Sequence, residues 1–67
     1  MINTDELRGI IYSRGLTQAK VAKSIGITQD SFYRKMKKRV FNSDEIYNMI
    51  DLLKIDDPIP VFFMRKN

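Results

Sequence analysis

The stretch Leu16-Thr17-Gln18-Ala19-Lys20-Val21-Ala22-Lys23-Ser24-Ile25-Gly26-Ile27-Thr28-Gln29-Asp30-Ser31-Phe32-Tyr33-Arg34-Lys35-Met36 decides how this chain folds. It reads as two short helices joined at a glycine. Gly26 suits a residue in the left-handed region at the end of the first helix, because it lacks the Cβ that makes that conformation costly. Ala22, four residues earlier, is small enough to let two helices approach closely at a steep angle. Ile25 and Ile27 flank the glycine and can anchor the turn in a core. Thr28 can cap a helix that begins Gln29-Asp30-Ser31.

The same local grammar recurs outside this stretch. Ile2-Asn3 is followed by Leu7, Leu16-Thr17 by Val21, Ile27-Thr28 by Phe32, and Phe41-Asn42 by Ile46. Each is an apolar residue, a capping residue, then an apolar residue at the fourth helical position, the pattern of a hydrophobic staple. Glu6 and Glu45 stand three residues after Asn3 and Asn42 and complete two expected capping boxes. Helices are therefore expected over about 3–13, 17–25, 28–37 and 42–54. Their inward positions are Leu7, Ile10 and Ile11, then Val21, Ala22 and Ile25, then Phe32 and Met36. In the last helix Ile46, Met49, Ile50 and Leu53 form a stripe at helical spacing. The expected fold is an all-α, compact four-helix domain over residues 1–55, followed by an extended tail over 56–67.

At 67 residues the chain fits one domain and has no room for a second core. It contains no cysteine and no histidine. Disulfides, thiol nucleophiles, the commonest zinc sites and imidazole acid–base chemistry are thereby excluded. No apolar run approaches the ~20 residues needed to span a bilayer. Nor is there a signal segment at the start, so a cytoplasmic location is expected. The net charge is +4, unevenly spread: residues 1–42 carry nine Lys or Arg against three Asp or Glu, and the remainder three against five. A basic front half and an acidic back half suit an oriented contact with a polyanion.

The tail changes character. Pro58 and Pro60, two residues apart, are expected to exclude helix and impose an extended path. Val61, Phe62, Phe63 and Met64 then favour a strand, which would be a sticky edge if left bare. It can fold back onto its own domain or pair with a second copy across a two-fold axis. The number of apolar side chains, large for one small domain to hide, favours the second.

Helix, glycine turn and second helix together are the pattern of a helix-turn-helix, whose second helix enters the DNA major groove. The segment from Leu7 to Met36 resembles the helix-turn-helix of the phage repressor and Cro family. The resemblance is carried by Gly15-Leu16-Thr17-Gln18, by Ala22, by Gly26 in the turn and by Thr28-Gln29 opening the recognition helix. The continuation Ser31-Phe32-Tyr33-Arg34-Lys35-Met36-Lys37 and Phe41-Asn42-Ser43-Asp44-Glu45-Ile46 looks like a small subgroup from phages and mobile elements of low-GC Gram-positive bacteria. The likeness covers about four fifths of the chain. It implies a lambda-repressor-like fold, an operator-binding role and, as in Cro proteins, carboxy-terminal strands that pair in a dimer. One departure stands out: Lys35 occupies a place where the family usually has an apolar residue, with Phe32 and Met36 filling that space instead.

Binding DNA takes phosphate contacts for register and base-edge contacts for sequence. Candidates for phosphate are Gln18, Lys20 and Lys23, and beyond the second helix Lys37, Lys38 and Arg39. Candidates for bases are Thr28, Gln29, Asp30, Ser31, Tyr33 and Arg34. Gln29 can pair bidentately with adenine, Arg34 with guanine or with phosphate alone, and Tyr33 offers its ring to a thymine methyl. Asp30 can accept from cytosine N4 or stabilise the positive end of its helix, and repulsion near phosphate favours the second. No catalytic constellation is visible, since Asp44, Glu45 and Asp51 have no histidine, nucleophile–base pair or phosphate loop beside them. The sequence thus points to a non-enzymatic regulator that binds double-stranded DNA as a homodimer, without cofactor, metal, small-molecule ligand or membrane. Two other classes remain open: a module binding a repressor or polymerase subunit through the apolar tail, and an accessory DNA-bending or excision factor.

Overall fold

Each of the four long helices starts on a side-chain oxygen. In the computed structural model, which describes residues 1–63, these are α1 (Thr4–Ser13), α2 (Gln18–Ser24), α3 (Gln29–Lys38) and α4 (Ser43–Leu53). Asn3 and Thr17 accept from the N–H groups of Glu6 and Lys20, each at 3.1 Å. Thr28 accepts from Ser31 at 3.1 Å, and Asn42 from Glu45 at 2.8 Å. These bonds cover backbone donors that have no partner inside the helix. The four caps predicted from sequence are all present, and each of the four helices lies within a residue or so of its expected bounds.

The helix ends are equally regular. A residue in the left-handed region follows each: Gly15 at φ 72°, Gly26 at 82°, Arg39 at 60° and Lys54 at 52°. The next N–H then reaches back five residues, as Leu16 to Ile11 O, Ile27 to Ala22 O, Val40 to Lys35 O and Ile55 to Ile50 O, at 3.0–3.2 Å. This is the Schellman closure, which satisfies terminal carbonyls and turns the chain sharply. A fifth of these carbonyls is met from afar: Arg14 Nε donates to Leu53 O at 2.8 Å, pinning the end of α1 to the end of α4.

The core gathers Leu7, Ile11, Val21, Ala22, Phe32, Met36, Met49 and Leu53 from the helices, with Phe41 and Ile55 from the connections and Ile2 from the N-terminal segment. Phe32 and Phe41 pack with ring centroids 5.3 Å apart and planes tilted by 59°. Ile10, Ile25, Ile46 and Ile50, expected inside, are half-buried against its margin.

The tail departs from expectation. Ile59–Phe62 is a short helix, α5, and the described residues contain no strand. Pro58 sits at its N-cap and Pro60 in its first turn, where a missing N–H costs nothing because those donors have no intrahelical acceptor anyway. Val61 and Phe62 are buried in the core of their own domain, so they do not form the expected pairing strand. Phe63 is half-exposed, and Met64 lies outside the described residues.

The N-terminal segment stitches this helix in place. Asn3 N–H donates to Val61 O at 2.8 Å, and Ile2 N–H to Arg39 O at 3.2 Å. That bond also explains a second departure. The Asn3 N–H needed for a capping box with Glu6 is already engaged, so the reciprocal box forms only at Asn42 and Glu45.

Candidate nucleic-acid interface

On α3 each residue turns the side chain by about 100°. Phe32 and Met36 are buried and fix the inward direction. Arg34, two residues from each, therefore stands nearly opposite them, at the middle of the outward face. Asp30, Lys37 and Lys38 flank it and are exposed. Gln29 and Tyr33 occupy one edge of that face, Tyr33 with 45% of its surface exposed. Gln29 Nε2 donates to the Tyr33 hydroxyl at 2.9 Å, joining the two side chains across one helical turn.

Not every predicted residue is equally presented. Thr28 is exposed, but its Oγ1 serves as the cap of α3. Ser31 is half-buried on the flank away from Tyr33. Asp30 lies in the first turn, where its charge complements the helix dipole. Gln18 is half-buried at the first position of α2, while Lys20 and Lys23 are exposed further along it. Lys37, Lys38 and Arg39 cluster at the C-terminal end of α3, where cations are favoured by the same dipole. Arg39 also lends its carbonyl to Ile2 and turns its guanidinium toward Met1 Sδ at 3.9 Å. From Gln18 to Arg39 the only acidic residue is Asp30, against seven Lys or Arg.

Lys35, the departure noted from sequence, makes an ion pair with Glu45. Glu45 is almost wholly buried, and its other oxygen accepts from Asn42 N–H at 3.0 Å. One carboxylate thus caps α4 and holds α3. The contact spans ten residues, and no local pattern announces it. The Gln29–Tyr33 bond was also missed, although its four-residue spacing is a readable signal.

Beside Gln18 lies an open apolar groove of about 500 Å³, lined by Arg8, Gly9, Ile11, Tyr12, Leu16 and Thr17. Among the described residues no group of three or more metal-ligating side chains occurs, and no helix is long and apolar enough to cross a membrane. No family model, curated protein or solved structure matches the chain.

Proposed function

We propose that this chain is a helix-turn-helix regulator of the Cro or repressor type, binding double-stranded DNA by laying α3 in the major groove. The observation that carries the reading is the outward face of α3. Arg34 is at its centre, Gln29 and Tyr33 at one edge and a basic cluster at its end, all uncovered while Phe32 and Met36 root the helix in the core. A helix about 15 Å long with one face exposed along its length has the dimensions of a major-groove reader. Among the described residues α5 packs against α1 and does not cover Gln29, Tyr33 or Arg34.

In this reading Arg34 and Gln29 read base edges, while Lys20, Lys23, Lys37, Lys38 and Arg39 hold phosphates. Asp30 serves the helix dipole rather than a base. One module of this size buries limited surface, so operator affinity calls for two copies on half-sites about 34 Å apart. The alternative of a protein-interaction module, whose surface was expected at Val61 to Met64, loses Val61 and Phe62 to the core, while Phe63 stays half-exposed.

The test is selection of bound duplexes from a random pool at two salt concentrations. A palindromic consensus, bound more weakly as salt rises, is the expected result. Recovery of unenriched sequence would reduce the chain to a non-specific binder, and no recovery at either salt would end the proposal.

A further inference from the structure

We infer that the outward face of α1, centred on Gly9, is a self-association surface that takes the α1 of a second copy of this chain, antiparallel across a two-fold axis. Association through this face needs no DNA, so it stands or falls apart from the DNA-binding reading above.

Leu7 and Ile11 are buried, and Gly9, two residues from each, stands at the middle of the opposite face of α1. Glycine in a helix interior costs stability relative to alanine. Nothing in the fold of a single copy asks for it here. Gly9 has no positive φ, and among the described residues a Cβ built on it would meet no heavy atom within 4 Å. What the missing Cβ does allow is the close approach of another backbone. The open apolar groove lies beside it, walled by Tyr12, whose surface is 84% exposed.

Charge complementarity selects the occupant. Along this face the acceptors Asp5 and Glu6 come first, and the Arg8 guanidinium and Tyr12 hydroxyl follow. Reversing one helix about Gly9 therefore lays donors on acceptors twice over. Tyr12 then lies level with Glu6 of the second copy. Arg8 stands about 6–8 Å along the axis from Glu6 and Asp5 of that copy, within the reach of its long stem. Inside one copy Arg8 donates to Asp5 at 2.8 Å, yet the Asp5 side chain remains 88% exposed and open to a second donor. Glu6 is exposed too, since its capping box with Asn3 does not form. The outward face of α4 fails the same test. An antiparallel pair of α4 helices would set Asp44 against Asp51 of the second copy, carboxylate facing carboxylate.

Two helices about 15 Å long cover less than the about 1,200 Å² at which stable interfaces begin, so the association is weak. Sedimentation equilibrium of the full chain, without DNA and up to about 1 mM, should show a monomer–dimer equilibrium. Arg8→Glu should raise its dissociation constant about 10-fold or more, and Glu6→Lys added to Arg8→Glu should recover association. Gly9→Ala should act with opposite signs, raising the melting temperature of the dilute chain while weakening the dimer several-fold. The chain has no cysteine, so Gly9→Cys introduces a single thiol. Under mild oxidation it should cross-link faster than Tyr47→Cys, an exposed position on α4, because two Cα atoms at a helix crossing fall within disulfide range.

A monomer at every concentration overturns the assignment and leaves DNA recognition untouched. So does an unchanged dissociation constant in Arg8→Glu or Gly9→Ala, or equal cross-linking of Gly9→Cys and Tyr47→Cys, either of which would place the contact on another surface. If the dimer behaves as expected and selection recovers no duplex, the α1 face stands and the DNA-binding reading alone falls. The substituted positions are all exposed, so cooperative melting of each variant separates lost association from lost fold.

Discussion

At the scale of single residues, four left-handed C-caps perform the same task with different side chains. Gly15 and Gly26 accept φ values of 72° and 82° without a Cβ penalty, whereas Arg39 and Lys54 adopt 60° and 52° with one. A Cβ built on Gly26 would meet no heavy atom within 4 Å, so Gly26→Ala tests backbone strain alone. It should cost about 1–2 kcal/mol, read as a lower melting temperature. Lys54→Gly is the converse. Relief of strain exceeds the added freedom of the unfolded chain, and stability should rise by about 0.5–1 kcal/mol. Equal effects of the two substitutions would show that these turns are held by their tertiary contacts. Lys37 belongs to a different ledger, that of the ligand. As a point charge on phosphate it contributes the same to every duplex, so Lys37→Ala should weaken all sequences alike and lower the salt slope by about one unit. A loss confined to one base position would place Lys37 in the groove instead.

At the scale of elements, what was legible in the sequence was local. Asn3, Thr17, Thr28 and Asn42 announce helix starts because capping takes place within three residues, and the glycines announce two of the four ends for the same reason. Arg39 and Lys54 announce nothing, since neither residue type prefers the conformation it adopts. The tail was misread because two prolines were weighed as helix breakers, although Pro58 and Pro60 fall where a first turn tolerates them. On the candidate site, the exposed face of α3 followed from the placement of Phe32 and Met36. The partner of Lys35 did not, because Glu45 reaches it through the packing of α4 on α3. That pair decides how α3 is seated. Lys35→Met would leave the Glu45 carboxylate buried without its cation, a loss expected to be about 1–3 kcal/mol given that Lys35 is partly exposed. The double variant Lys35→Met with Glu45→Gln keeps an acceptor for Asn42 N–H and removes the stranded charge. It should recover most of the stability in a chemical-denaturation series. Two variants equally destabilised would mean that the aliphatic stem of Lys35, rather than its charge, fills the gap.

At the scale of the molecule, the chain is small enough that its last helix decides whether it folds. For 67 residues a net stability of roughly 3–10 kcal/mol is expected. Val61 and Phe62 are at most 3% exposed, and burying two such side chains contributes about 3–6 kcal/mol. The same helix takes the Asn3 N–H, and Asn3 starts α1, so losing α5 also loosens the first helix. A chain ending at Ile55 is therefore expected to melt at least about 12 °C lower or to lack a cooperative transition altogether. Phe62→Ala, which keeps the backbone bond but empties the site, should cost about 3–5 kcal/mol on its own. Circular dichroism against temperature reads both. Ile59→Ala is the control, since Ile59 is 64% exposed and should change little. If the shortened chain melted like the whole one, the tail would be an appendage, and Val61 and Phe62 would be free to serve a second copy. If it unfolds, any dimer on DNA must be made by another surface, and the exposed side chains of α1 and α4 become the places to look.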